Sequence, residues 1–179
     1  MFYTFDCLRI ALDVDSLALY KRSMVDSGEA LRQVMRRWTT GVSVVTSAFN
    51  GTRHGMTVNS FTSISLEPPV VTVTLAKDTR THALVMQSGI LAITLLSHEQ
   101  VELANLFAGR VEYHGDRFAT IETFTLVSQA PLLSGGMGFI DGRVRQIVAL
   151  EKSTLFVVDV LAAHPTQGGH PLVYFNRQY

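Results

Sequence analysis

From Met137 to Phe175 the sequence reads as three strands in succession, over 137–150, 154–163 and 172–175, with no helical period between them. Upstream, Val42-Ser43-Val44-Val45-Thr46-Ser47 is β-branched and reads as a strand, Asn50-Gly51 as a hairpin turn, and 53–60 as the returning strand. Val71, Val73 and Leu75 alternate with Thr72 and Thr74 in a further strand, and 90–96 is another. Glu67-Pro68-Pro69 between them reads as a rigid connector that stops pairing. Helical spacing is confined to three places. Leu31, Val34, Met35 and Trp38 follow a start at Asp26-Ser27-Gly28-Glu29. Thr79 to Gln87 ends at Ser88-Gly89, and Ser97 with Gln100 opens a run in which Val101, Ala104 and Phe107 share a face. Residues 109–135 read as irregular, with one short strand near 124–127. At least six strands and two or three helices cannot alternate as β-α-β units. The expected fold class is therefore mainly β, an antiparallel barrel with helices covering its ends.

At 179 residues the chain is long enough to bury a core without disulfides or metal. Residues 1–26 read as an N-terminal extension, an amphipathic helix, a frayed segment or an oligomer contact, and 27–179 as one domain. Fifteen basic residues balance fifteen acidic ones. This argues against a nucleic-acid partner, which needs clustered surplus cations, and against an anionic membrane surface. Only 17% of residues are charged, so colloidal repulsion is small and another subunit is expected to cover part of the apolar surface. Cys7 is the only cysteine. It excludes an intrachain disulfide and cysteine-based zinc or iron–sulfur sites, and fits a reducing cytoplasm. The uncharged stretches 81–98 and 123–140 are interrupted by Gly and by hydroxyl or amide residues, and neither reads as a membrane span.

No G-x-G-x-x-G, P-loop, G-x-S-x-G or H-E-x-x-H pattern is present, and the six histidines show no metal-ligand spacing. The informative segment is Met56-Thr57-Val58-Asn59-Ser60-Phe61-Thr62-Ser63-Ile64-Ser65-Leu66-Glu67-Pro68-Pro69. Alternating hydroxyl and apolar residues describe any half-exposed strand. Asn59 does not fit that description, because Asn is disfavoured in strands. Its amide offers donors and acceptors in one plane, which suits the edge of a neutral heterocycle. Thr79-Arg80-Thr81, at an expected helix start, supplies hydroxyls, backbone N–H groups and a cation, the set a phosphate needs.

These segments resemble the flavin reductase-like proteins, the reductase components of two-component flavin-dependent monooxygenases. The resemblance covers about residues 29–179. Its landmarks are Gly41-Val42-Ser43-Val44-Val45-Thr46, the long run from Gly55 to Pro69, Thr79-Arg80-Thr81, Arg117-Phe118, and Pro171-Leu172-Val173-Tyr174-Phe175 with Tyr179. It implies an FMN-binding split barrel, a homodimer, FMN or FAD as cofactor, and NADH or NADPH as hydride donor. By the match, Thr57, Val58, Asn59, Ser60 and Ser63 are expected to line the flavin, and Thr79, Arg80 and Thr81 to approach its phosphate. Phe107 and Arg110 lie where the family directs side chains to the flavin. Many members carry Gly-Asp-His before the strand that here begins Thr154-Leu155-Phe156, with the His facing the nicotinamide. Here Glu151-Lys152-Ser153 precedes that strand, which leaves Ser153 as the nicotinamide contact. No triad is expected, because hydride transfer needs no protein nucleophile. The implied activity is NAD(P)H-dependent reduction of FMN or FAD for a partner monooxygenase. A non-catalytic FMN binder or electron carrier on the same fold, and a barrel without cofactor, are the competing readings.

Overall fold

The computed structural model describes residues 27–179. The expectations for Cys7 and for the 1–26 extension lie outside them. Thr39–Tyr179 forms one compact unit, separate from the segment that ends at Trp38. In that earlier segment α1 covers 27–35, shorter than the spacing predicts. The turn then tightens, Arg37 N–H bonding to Val34 O at 2.9 Å and Trp38 N–H to Met35 O at 3.3 Å, the usual fraying of a helix end.

The compact unit is built on seven antiparallel strands: β2 (Ser43–Phe49), β3 (Thr52–Val58), β4 (Thr62–Leu66), β5 (Pro69–Ala76), β6 (Ile90–Leu95), β9 (Gly138–Ala149) and β10 (Ser153–Pro165). Their order is β3-β2-β6-β9-β10-β5-β4. The sheet does not close on itself by hydrogen bonds. Its two edges, β3 and β4, are consecutive in the chain and joined only through 59–61. β1 (Thr40–Gly41) pairs with β11 (Val173–Tyr174), and β7 (Thr123–Phe124) with β8 (Leu132–Leu133). The short strand expected near 124–127 is thus displaced to β7, with an unforeseen partner in β8.

Local chemistry accounts for the turns. Asn50 and Gly51 have φ of 48° and 77°, the pair of positive values that a tight hairpin between β2 and β3 requires. α2 (Arg80–Ser88) starts at Thr79, whose hydroxyl accepts from His82 N–H, and stops at Gly89, left-handed at φ 68° with its N–H on Val85 O. A 3-10 turn (His98–Gln100) leads into α3 (Val101–Phe107), and the Gln100 side chain accepts from Ser97 N–H at 3.1 Å. The double proline does not stop pairing as the sequence suggests. Leu66 and Pro69 are register partners, and Glu67-Pro68 is the turn of the β4–β5 hairpin. Pro69 is tolerated because it opens its strand at the hairpin end, where a missing N–H is least costly.

The core is the inner face of the sheet. Val45, Val71, Val73, Leu75, Leu91, Ile93, Phe156 and Val158 pack together, with Val85 of α2 closing one end. A second cluster joins Phe107 and Ala104 of α3 to Val42, Val44, Leu96, Phe118, Leu133 and Leu172. Buried polar groups tie the irregular 109–135 segment to the sheet. Thr94 Oγ1 accepts from Leu133 N–H at 3.0 Å, and Asp141, fully buried, accepts from Ser128 N–H at 2.6 Å and from the Ser128 hydroxyl. Each of these polar groups is satisfied, which is the condition for burying it.

Candidate functional site

β3 is an edge strand, and the cleft of about 920 Å³ beside it is lined by every residue from Gly51 to Thr57. Side chains of a strand point alternately to opposite faces, so seven consecutive lining residues mean that the cleft runs along the strand's edge. The unpaired N–H and C=O groups of β3 therefore border it. Opposite stand Thr79, Arg80, Ala83, Leu84 and Gln87 of α2 and its cap. The end of α3 contributes Phe107 to Gly109, and the following loop contributes Tyr113 and Gly115 to Phe118. Gly55 lets the walls meet: a Cβ there would stand 3.0 Å from the Phe107 ring and 3.0 Å from Thr46 Cγ2. The cleft's size is typical of a pocket for an organic ligand, roughly 300–1,000 Å³.

Its electrostatics are cationic. Arg53 is committed: it pairs with Asp116 at 2.9 Å and lies 4.9 Å from the centre of the Phe118 ring. Asp116 is held below the usual carboxylate range chiefly by that hydrogen bond. Arg80 and Arg117 have no carboxylate partner among the described residues. Both bear on His54, whose Nδ1 is 2.9 Å from Thr81 Oγ1. Burial first, then Arg117 and Arg80, hold the His54 imidazole below its ordinary value. The unfolded chain therefore binds that proton more tightly than the folded one. The stability that goes with neutral His54 is present above about pH 6.5 and is lost as pH falls toward the folded value. His82, lowered by burial and then Lys77, acts in the same direction. The melting temperature is expected to drop between about pH 7 and pH 5.5, and His54→Gln to shrink that drop. An unchanged slope in the variant would remove His54 as its source.

A second cavity of about 200 Å³ adjoins the first through Thr57 and is lined by Val42, Val58, Asn59, Ala108, Arg110, Tyr174 and Tyr179. The two cavities gather most of the residues singled out from the sequence. Thr57, Thr79, Arg80 and Phe107 line the large cleft; Thr57, Val58, Asn59 and Arg110 line the small one. Several of these groups also have structural duties. Thr57 Oγ1 donates to Ala104 O at 2.7 Å, leaving it an acceptor toward a ligand. Thr79 Oγ1 donates to Ala76 O at 2.8 Å while capping α2, and Thr81 is buried against His54. Ser60 Oγ donates to Thr74 O at 2.8 Å and accepts from Thr74 N–H at 3.3 Å, fastening the link between the sheet edges to β5. Ser63 is exposed on β4 and lines neither cavity. Ser153, half-buried at the start of β10 opposite Ala76, lines neither as well.

Residues 35–179 match the family described as the flavin reductase-like domain. The chain belongs to the flavin reductase-like family. It is 32% identical over 173 residues to the NADH-dependent flavin reductase StyB of Pseudomonas fluorescens, covering 95% of this chain and 92% of that protein. It is 30% identical over 151 residues to the FMN reductase (NADH) RutF of Stutzerimonas stutzeri, covering 84% and 86%. The structure of the styrene monooxygenase flavin reductase SMOB from Pseudomonas putida S12 superposes with a TM-score of 0.73 at 33% identity, over 83% of this chain and 93% of that one.

A flavin nucleotide joins a planar polar ring to an anionic phosphate. The two cavities fit that combination. Two guanidiniums without carboxylate partners among the described residues border the large one, and an amide, a guanidinium and two tyrosine rings border the small one. Arg53 and His54 carry no signal in the sequence, and Arg117 figures there only as a landmark of the resemblance. Each is an ordinary surface residue until β3 and the 109–118 loop are brought face to face. The cation that the sequence places near a phosphate, Arg80, is joined in the cleft by Arg117, and neither has a carboxylate partner among the described residues.

Proposed function

We propose that this chain is an NADH-dependent flavin reductase that reduces FMN or FAD and passes the product to a partner monooxygenase. The observation that carries the reading is the cleft along β3, with Arg80 and Arg117 at its wall, neither in an ion pair among the described residues, and the Asn59 cavity adjoining it. The names of StyB and RutF support NADH as donor. SMOB is by its title the flavin reductase of a styrene monooxygenase, which supports the monooxygenase as recipient. When bound, flavin and nicotinamide supply the hydride chemistry between them. The chain's residues bind and orient. Arg80 and Arg117 hold the phosphate by charge-assisted hydrogen bonds, Asn59 reads the ring edge with its amide, and the β3 edge aligns the ribityl chain. Val58, Ser60, Ser63, Thr79 and Thr81 complete the assignment as neighbours that shape the strand edge and the α2 start.

Ser153 stands where many relatives place a histidine, and we assign it the nicotinamide carboxamide. Ser153→Ala is expected to raise the NADH KM a few-fold, about the cost of one neutral hydrogen bond, with flavin KM unchanged. An unchanged NADH KM would remove that role. The reductase domain is taken as 27–179 with 1–26 as its extension. The working unit is taken as a cytoplasmic homodimer, in which Ile64 and Leu66 on edge strand β4 and Ile147, Val148 and Leu150 near the β9–β10 turn become covered. Among the described residues no helix is long and apolar enough to cross a membrane.

The test is spectroscopic. FMN is added to the purified chain under anaerobic conditions, followed by NADH. Bleaching of the flavin absorbance with turnover is the expected result. A firmly bound flavin that NADH does not bleach would favour a non-catalytic binder, and no flavin binding would overturn both readings.

A further inference from the structure

The segment after β11 is built to return one aromatic ring to the small cavity. Phe175 and Gln178 exchange N–H···O bonds, each of 2.9 Å, and between them Asn176 and Arg177 have φ of 49° and 67°. Positive φ at both central positions of a two-residue turn is the signature of type I′. Two residues with side chains in the left-handed region are uncommon, so their conformation is held by what flanks them. The flanks are anchored: β11 pairs with β1, and Leu172 is buried, donating its N–H to Leu96 O at 2.9 Å and accepting from Val42 N–H at 3.1 Å. The chain thereby delivers Tyr179 against Tyr174, ring centres 5.7 Å apart, and 4.8 Å from the Arg110 guanidinium carbon.

Arg110 needs such a support. It is exposed, follows the end of α3, and is in no ion pair among the described residues. Its backbone N–H bonds to Asn105 O at 3.0 Å, and among the described residues its side chain makes one long hydrogen bond, 3.3 Å, from Nη1 to Asn105 Oδ1. A long side chain held only by that bond would sample many rotamers, and each ligand contact would cost their entropy. With Tyr179 on its face, the guanidinium plane is fixed at the wall of the cavity that Asn59 and Thr57 also line. Burial raises the Tyr179 hydroxyl above its ordinary value, so the ring stays neutral beside the cation.

We propose that Tyr179 is a positioning residue of the flavin site: its ring holds the Arg110 guanidinium in the plane in which it meets the flavin ring edge beside Asn59. The inference rests on the flavin-binding reading above. It extends that reading to a residue with no direct duty toward phosphate or nicotinamide.

The test is equilibrium binding of FMN to the full chain, read by quenching of flavin fluorescence without NADH. Tyr179→Leu is expected to weaken binding about 3- to 10-fold, the size of a partly desolvated cation–π contact. Tyr179→Phe keeps the ring and is expected to restore most of the affinity. Arg110→Gln should weaken binding by a similar factor. The double variant Tyr179→Leu with Arg110→Gln should be no weaker than Arg110→Gln alone, because the ring acts through the guanidinium. Additive losses, or wild-type affinity in Tyr179→Leu, would overturn the inference. Arg110→Lys, at an exposed position that tolerates change, keeps the charge and loses the planar stack. It too should bind several-fold more weakly, and wild-type affinity there would overturn the inference even if the Tyr179 variant failed to fold. Absence of FMN binding by the wild-type chain would instead bring down the functional reading itself.

Discussion

Arg80→Gln is expected to raise the flavin KM about 10- to 100-fold while kcat stays near wild type. The first figure is the loss of one charge-assisted hydrogen bond to a phosphate, roughly 1.5–3 kcal/mol. The second follows because the phosphate does not react: its contacts are equal in ground and transition states, so their loss appears in KM. Arg80 is placed for this duty at the first position of α2, on the wall of the cleft and without a carboxylate partner among the described residues. Arg80→Lys should fall between the two, since an ammonium keeps the charge and loses the fork of donors. Salt should weaken the wild-type protein more than the variant, because Arg80 is exposed and its contribution is screened. The same substitution should move the His54 pKa upward, since Arg80 is one of the two cations that depress it. A flavin KM within twofold of wild type would place the phosphate elsewhere.

Phe107→Ala should be the most destabilising single change around the site. The Phe107 side chain is 2% exposed and packs edge-to-face on Phe118, ring centres 5.2 Å apart. Truncating such a ring costs about 3–5 kcal/mol, from lost transfer energy and the cavity left behind. For a chain of this length that corresponds to a fall of roughly 6–20 °C in melting temperature. Phe107 also forms the floor of the cleft under β3, so flavin affinity should fall with stability. Gly55 offers an internal control. A Cβ at that position now meets the Phe107 ring at 3.0 Å, so Gly55→Ala should be less damaging in the Phe107→Ala background than alone. The recovery should be partial, because Thr46 Cγ2 stands equally close. A melting temperature within 2 °C of wild type for Phe107→Ala would mean that the ring is not a core residue.

Much of the fold is legible in local pattern because local pattern is what forms it. Period-two alternation marks β5, Asn50-Gly51 marks the β2–β3 turn, and Thr79 and Gly89 mark both ends of α2. Misreadings occur where tertiary partners decide. Pro68-Pro69 looks like a stop and is the corner of a hairpin, because β5 supplies β4 with a partner. The run that becomes α3 begins as a 3-10 turn, and the short strand near 124 pairs with one at 132–133 that no periodicity announces.

The candidate site divides in the same way. Asn59, Thr79 and Arg80 stand out from the chain alone, as an amide in an expected strand, a hydroxyl and a cation at an expected helix start; the structure ends β3 at Val58 and puts Asn59 in the bend that follows, where an amide is at home. Those are properties of residue type and near neighbours, and so is the expectation of an antiparallel, mainly β fold. Only the tertiary structure shows that the Ser60 hydroxyl is spent on Thr74, that Arg53 is neutralised by Asp116 across 63 residues of chain, and that Arg117, without a carboxylate partner among the described residues, lines the same cleft as His54. Those facts depend on distances between segments far apart in sequence. Such distances are set by how the edge of β3, the start of α2 and the 109–118 loop pack around one cleft, and no local pattern encodes them.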